Sequence, residues 1–418
     1  MDNQTRNYTL FCVENGERVE ENYTLNCPNG HNSLLRAEYR NKQLNVGTEK
    51  NIFRFRDWLP VSNTFDCEAG PVTFRSEKLS KELGLKNLWV CFTGYYPERG
   101  AHAVSGSFKE LEALPTYARL KDFSDDSVVI ASAGNTARAF AEIGNRIRRK
   151  CVIVVPEKAA NGITVTEDNG MATLISVKGD YSDAISVADR ISSADGYVPE
   201  GGAKNIARRD GMGTVMLDGT VTAGRLPDHY FQGVGSGTGG IAAWEAAMRL
   251  INDGRFGCKL PKLELSQNEP FIPMKKAWDV GRRNITSEDL GNKEDVFEVY
   301  ADVLTNRTPP YSVCGGVFDA MTACNGRFHS ADNNEAKSAE ALWNSIEGAS
   351  PNPAASVALA TLIKAVDEKL VDPSSCIMLN ITGGGIERAR EDYDMARIQT
   401  AATVNTDVSD RELMEILS

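Results

Sequence analysis

No stretch of the 418-residue chain approaches the roughly 20 consecutive apolar residues that a membrane span needs. The start, Met1 to Arg6, is polar and carries no apolar core of a secretory signal. A cytoplasmic protein with no membrane partner is expected. A basic surplus is also missing: 46 Lys and Arg stand against 57 Asp and Glu, a balance of −11. Nucleic-acid binders usually carry the opposite sign, so no nucleic-acid partner is expected. Anionic small molecules stay open, because one pocket can be basic on an acidic protein. Paired Cys-x-x-Cys knuckles are absent too. The nine cysteines are odd in number and scattered from Cys12 to Cys376. That argues against a disulfide framework and for small buried residues. In the first 50 residues Cys12, Cys27 and His31 make three donors where a closed structural zinc site needs four. This segment is read as a short β-rich extension, and no metal is assigned.

What is present is an ordinary globular composition, 41% hydrophobic and 25% charged, which excludes a disordered chain. From residue 70 onward, short apolar runs alternate with helical spacing. Leu88–Phe92, Ser127–Ser132, Cys151–Pro156, Thr173–Val177, Asp228–Gln232, Leu263–Ser266 and Ser375–Asn380 read as strands. Thr136–Arg149, Tyr181–Ile191, Ile241–Asn252, Asn334–Glu347 and Ala354–Lys369 read as helices. Such alternation predicts an α/β fold with parallel sheets covered on both faces.

Gly233-Val234-Gly235-Ser236-Gly237-Thr238-Gly239-Gly240 follows a strand and opens a helix. Glycines let several N–H groups point at one anion, and the helix N-terminus adds positive potential. Five glycines in eight residues cost chain entropy unless something requires them. The segment reads as a phosphate cradle, with Ser236 and Thr238 as added donors. Gly235-x-Gly237-x-x-Gly240 also matches a dinucleotide fingerprint, for which Glu264 would be the ribose-binding acid. That reading leaves the next two segments without a role. Ser107-Phe108-Lys109 sets a lysine after small residues and one aromatic. Ser132-Ala133-Gly134-Asn135-Thr136 follows a strand and starts a helix, so it can bind a carboxylate. A lysine, a phosphate cradle and a carboxylate loop together describe a pyridoxal 5′-phosphate site that handles an amino acid.

These motifs resemble the fold type II pyridoxal phosphate enzymes, and the threonine synthase branch in particular, from about residue 8 to residue 390. Arg54–Val61 resembles the stretch that leads into the catalytic domain. Gly70-Pro71-Val72-Thr73, Ser107-Phe108-Lys109, Ser132–Thr136 and Thr382-Gly383-Gly384-Gly385 resemble the successive site motifs. The Cys12…Cys27-Pro28 stretch resembles a degraded form of the ribbon of some threonine synthases. The resemblance implies two parallel-sheet α/β domains with the cofactor in the cleft. Residues 51–105 and 227–418 would form the larger domain, 106–226 the smaller, and 1–50 the extension. It implies that Lys109 carries the cofactor and moves the Cα proton. Asn135 would lie near the cofactor 3′-oxygen, Gly233 to Gly240 would bind its phosphate, and Thr382 would meet the ring nitrogen. Relatives of this type are often dimers, so a homo-oligomer is expected.

Glu110-Leu111-Glu112 stands where threonine synthases usually have Asp-Arg-Gly, and the stretch Gly94–Val104 is longer than usual. This divergent pattern is similar to the cysteate synthase family, which makes L-cysteate and phosphate from O-phospho-L-serine and sulfite on the way to coenzyme M. Two anionic reactants call for local positive charge. The candidates are Arg99 and His102, with Arg119, Lys204, Arg208 and Arg209, each also readable as an ordinary surface charge. The segment 202–211 resembles the polar stretch before the last small-domain strand. The alternatives are a threonine synthase acting on O-phosphohomoserine, an O-phosphoserine sulfhydrylase, and a non-catalytic amino-acid-binding protein on the same fold.

Overall fold

The computed structural model describes residues 6–418; residues 1–5, most of the polar start and part of the 1–50 extension, lie outside the described residues. The chain builds two separate parallel sheets, each covered by helices. The α/β expectation holds.

The first sheet has five strands in the order Tyr197–Pro199, Ser127–Ala131, Cys151–Pro156, Ala172–Lys178 and Thr400–Asn405, all parallel. The most apolar strand, Cys151–Pro156, lies in the middle, buried along Cys151–Val155. A parallel strand covered on both faces needs just such an unbroken Val/Ile run. The second sheet has six strands, ordered Arg327–Ala331, Lys262–Asn268, His229–Gly233, Cys376–Ile381, Asn87–Phe92 and Val72–Arg75. Only the edge strand Val72–Arg75 runs antiparallel. The helix Pro353–Asp367 starts under an Asn352 cap with proline at its first position, and it is buried over most of its length.

Two features differ from the sequence reading. The expected larger unit contained everything from 227 onward, yet Thr400–Asn405 pairs with Ala172–Lys178 in the other sheet. The segment 202–211 does not precede a strand. It opens the 18-residue helix Ile206–Ala223, and Tyr197–Pro199 comes before it. That helix carries Gly211, Gly213 and Gly219. A Cβ at Gly211 would sit 1.9 Å from the carbonyl oxygen of Leu111. Glycine here lets two helices pack with their backbones almost touching, which offsets its poor helix propensity.

The N-terminal segment forms a three-stranded antiparallel sheet from Tyr8–Cys12, Arg18–Val19 and Leu35–Tyr39. Buried polar groups tie it to the rest of the chain. Arg119 meets Glu21 at 2.8 Å, Arg36 meets Glu245 at 3.1 Å, and the Tyr39 hydroxyl donates to Asp210 at 2.5 Å.

Candidate active site

Parallel α/β sheets place ligands beyond the carboxyl ends of their strands. Three of the predicted loops stand there: residues 132–134 after Ser127–Ala131, 234–237 after His229–Gly233, and 382–385 after Cys376–Ile381.

Lys109 caps the helix Glu110–Lys121. The loop before it is pinned to the last of those three: the Phe108 N–H donates to the Thr382 carbonyl at 3.0 Å, and the Gly384 N–H to Gly106 at 3.0 Å. A Cβ at Gly383 would stand 2.3 Å from the Gly106 oxygen, so only glycine permits the contact. Ser105 N–H donates to the buried Glu110 carboxylate at 2.7 Å and closes the turn that holds the lysine. Burial lowers the Lys109 pKa, and the nearby Arg208 guanidinium adds to that, while Glu112 opposes both. Glu112 lies one helical turn beyond the lysine and is fully buried. It pairs with the Lys109 ammonium on one oxygen and with Arg208 Nε, at 2.7 Å, on the other. Arg208 also pairs with Glu200.

In the glycine loop, among the described residues, the N–H groups of Gly235, Ser236, Gly237 and Gly239 donate to no protein acceptor. Ser236 and Thr238 hydroxyls lie 2.8 Å apart at the same turn, where the 16-residue helix Thr238–Asp253 begins. A Cβ at Gly235 would meet the Val303 oxygen at 2.9 Å and Leu304 Cα at 3.0 Å. Unsatisfied donors at a helix N-terminus fit a phosphate, as the cofactor requires. The loop of Ser132, Ala133, Gly134, Asn135 and Thr136 is half-exposed, and Gly134 N–H donates to Ser132 Oγ at 3.3 Å.

Arg138, which the sequence reading passed over, donates to the Asn135 side-chain oxygen. Burial lowers its pKa, the exposed Arg390 guanidinium lowers it further, and Asp302 opposes. Neither arginine has a carboxylate within ion-pair distance among the described residues. Arg390 lies on the helix Ile386–Asp392 that follows the 382–385 turn. Asp302, two residues from the Leu304 that packs on Gly235, links this pair to the glycine loop.

The other basic candidates are engaged elsewhere. Arg99 pairs with Glu347 at 3.0 Å and stacks on Phe74, and His102 packs against Tyr95. No hydrogen bond or ion pair among the described residues joins either to Lys109. Arg119 and Arg209 are buried in the ion pairs that hold the N-terminal sheet, and Lys204 is exposed. Glu264, the acid a dinucleotide site would need, is fully buried between His229 and His329 at 2.8 and 2.7 Å.

Fold and site together define a pyridoxal-phosphate-dependent enzyme of fold type II. The profile described as "Pyridoxal-phosphate dependent enzyme" matches residues 69–383, three-quarters of the chain. Cysteate synthase of Methanocorpusculum labreanum is 52% identical over 96% of this chain and 98% of its own. Cysteate synthase of Methanosarcina barkeri is 51% identical over 97% of this chain and 99% of its own. The chain belongs to the cysteate synthase family of pyridoxal-phosphate-dependent enzymes. Among solved structures, maize serine racemase superposes with a TM-score of 0.56 at 15% identity, covering 77% of this chain and 91% of that one. An L-serine ammonia-lyase from Rhizomucor miehei gives 0.56 at 15%, covering 78% and 98%. Both show the same fold.

Proposed function

We propose that the enzyme replaces the phosphate of O-phospho-L-serine with sulfite, giving L-cysteate and inorganic phosphate. What supports this reading is that the 132–134, 234–237 and 382–385 loops all follow the carboxyl ends of parallel strands, the last pinned to the loop that carries half-buried Lys109, while Arg138 and Arg390 have no ion-pair carboxylate among the described residues. Bound pyridoxal phosphate supplies the electron sink that makes a substrate Cα proton acidic.

The chain's own groups account for the rest. Lys109 holds the cofactor covalently and, once released, takes the Cα proton and later returns it. Burial lowers its pKa, which is the direction a lysine acting as a base needs. Glu112 receives the lysine when it is free. Residues 132–136 hold the substrate carboxylate through N–H groups. The Gly233–Gly240 loop holds the cofactor phosphate, and Asn135 and Thr382 orient the ring. Arg138 and Arg390 neutralise the leaving phosphate and the incoming sulfite, a role for which the sequence offered Arg99, His102, Arg119, Lys204, Arg208 and Arg209 as candidates. The two sheets act as cores of two units that close on the substrate, which excludes water from the developing charges.

Incubating the holoenzyme with phosphoserine and sulfite and identifying the product tests the reading. Cysteate with equimolar phosphate supports it. Phosphate release from O-phosphohomoserine but not from phosphoserine overturns it in favour of threonine synthesis, and cysteine from sulfide alone favours the sulfhydrylase. Loss of the visible absorbance of lysine-bound cofactor in Lys109→Ala, with the fold intact, separates all of these from a non-catalytic binding protein.

A further inference from the structure

The N-terminal sheet brings together side chains that the reaction does not use. Cys12 ends the strand Tyr8–Cys12, and Cys27 and His31 sit in the turns before Leu35–Tyr39. Cys12 Sγ is 3.6 Å from His31 Nδ1, and Cys27 Sγ is 3.4 Å from the same nitrogen. All three donor atoms lie within 4.8 Å of one another. Both cysteines are buried, at 0% and 5% exposure, and the histidine is half-exposed.

A neutral imidazole nitrogen has one lone pair or one hydrogen, enough for one hydrogen bond. Two sulfurs on a single nitrogen exceed that. They do match a shared metal: with Zn–S about 2.3 Å and Zn–N about 2.0 Å, a tetrahedral centre has S···N edges of about 3.5 Å.

The catalytic body contributes a further thiol. Cys314 is bridged to Ser33 by backbone: the Leu34 N–H donates to the Cys314 oxygen at 2.9 Å, and the Cys314 N–H to Asn32 at 3.0 Å. The Ser33 hydroxyl lies beside the sulfurs of both Cys12 and Cys314. Cys314 Sγ stands outside the three-donor set, and it is only half-buried, so its side chain has room to turn.

We propose that Cys12, Cys27 and His31 bind a zinc ion, with Cys314 as the fourth ligand. The site is structural, because four protein donors leave no open position. It clips the N-terminal sheet to the loop around residue 314. Binding displaces the thiol protons to solvent and needs no redox partner.

The test uses the full-length holoenzyme, purified under reductant, stripped with chelator and reloaded with Zn2+ or Co2+. The expected result is about one metal per chain and, with cobalt, intense red-end d–d absorption plus a thiolate charge-transfer band in difference against the stripped enzyme. Cys12→Ser, Cys27→Ser and His31→Gln each abolish it. His31 is exposed enough that its variant tests the site even where a cysteine variant fails to fold. Cys258→Ser, at an exposed thiol, retains it. Cys314→Ser weakens binding at least tenfold and shifts the d–d bands. A folded wild type, with its cofactor absorbance intact, that takes up no metal overturns the site, as does a Cys12–Cys27 disulfide under the same reductant. A Cys314→Ser variant with unchanged affinity and bands overturns the fourth ligand.

Discussion

Glu112 sits one helical turn beyond Lys109 and holds its ammonium, while its other oxygen is gripped by Arg208. The free lysine therefore has a fixed resting place. Glu112→Gln keeps the shape and removes the charge. Without that carboxylate, burial and Arg208 push the Lys109 pKa lower still. The acidic limb of the pH–rate profile is expected to move to lower pH, and kcat to fall by about 10- to 100-fold, as for a misplaced general base. Steady-state rates from pH 5 to 9 check this. An unmoved acidic limb would show that Glu112 serves the fold alone.

Arg138 reaches the Asn135 side chain with no carboxylate to neutralise it, and Arg390 adds a second positive charge nearby. A bound anion would relieve both. Arg138→Ala is expected to raise the KM for an anionic substrate about 10- to 100-fold, the range of a charge-assisted hydrogen bond, with kcat changed less. Separate KM measurements for the two anionic reactants identify which one it serves. A change in kcat alone would remove Arg138 from the binding site.

The sheet cores and the glycine-rich turn that opens the helix Thr238–Asp253 were readable from the residues because their causes are local. Cys151–Pro156 was expected with the bounds the fold shows, since an unbroken Val/Ile run has few other uses. Thr400–Asn405 was missed because its strand is largely exposed and weakly apolar; it gains its place from a partner more than 220 residues away. The helix Ile206–Ala223 was hidden by three glycines and two arginines that read as a polar stretch. The glycines permit close helix contact and the arginines are paired in the interior, both tertiary effects. The same holds for the site. Lys109, Asn135 and Thr382 sit in recognisable motifs, whereas Arg138 reads as one more charge on an amphipathic helix. Cys12, Cys27, His31 and Cys314 span some 300 residues, and no spacing rule joins the last to the others.

Gly235 lies where a side chain has no space. Its Cβ would press on the Val303 carbonyl and the Leu304 backbone, neither of which can swing aside as a side chain would. Gly235→Ala must therefore displace either the loop or the Asp302–Leu304 segment. Overpacking of this kind costs about 1–3 kcal/mol. Because the strain falls on the four unpaired N–H groups, it should appear as a cofactor affinity lowered about tenfold or more. Titrating stripped enzyme with pyridoxal phosphate checks this, and unchanged affinity would place the phosphate elsewhere.

Glu110 supplies a pH signature independent of catalysis. Its side chain is fully buried; one oxygen accepts from Ser105 and the other has no partner. Burial raises its pKa from 4.5 to about 7, against the pull of Arg146. The unfolded chain loses this proton near 4.5, while the folded chain keeps it up to about 7. The native state thus binds the proton more tightly, and stability falls as pH rises between these values, then levels off. A shift of this size corresponds to about 3 kcal/mol. Glu110→Gln cannot ionise and escapes the loss. Urea unfolding of both proteins should give similar stabilities at pH 4.5, with the variant pulling ahead by up to about 3 kcal/mol at pH 8. Parallel curves across that range would mean that Glu110 is already charged in the folded protein and that a counter-charge, not its burial, governs it.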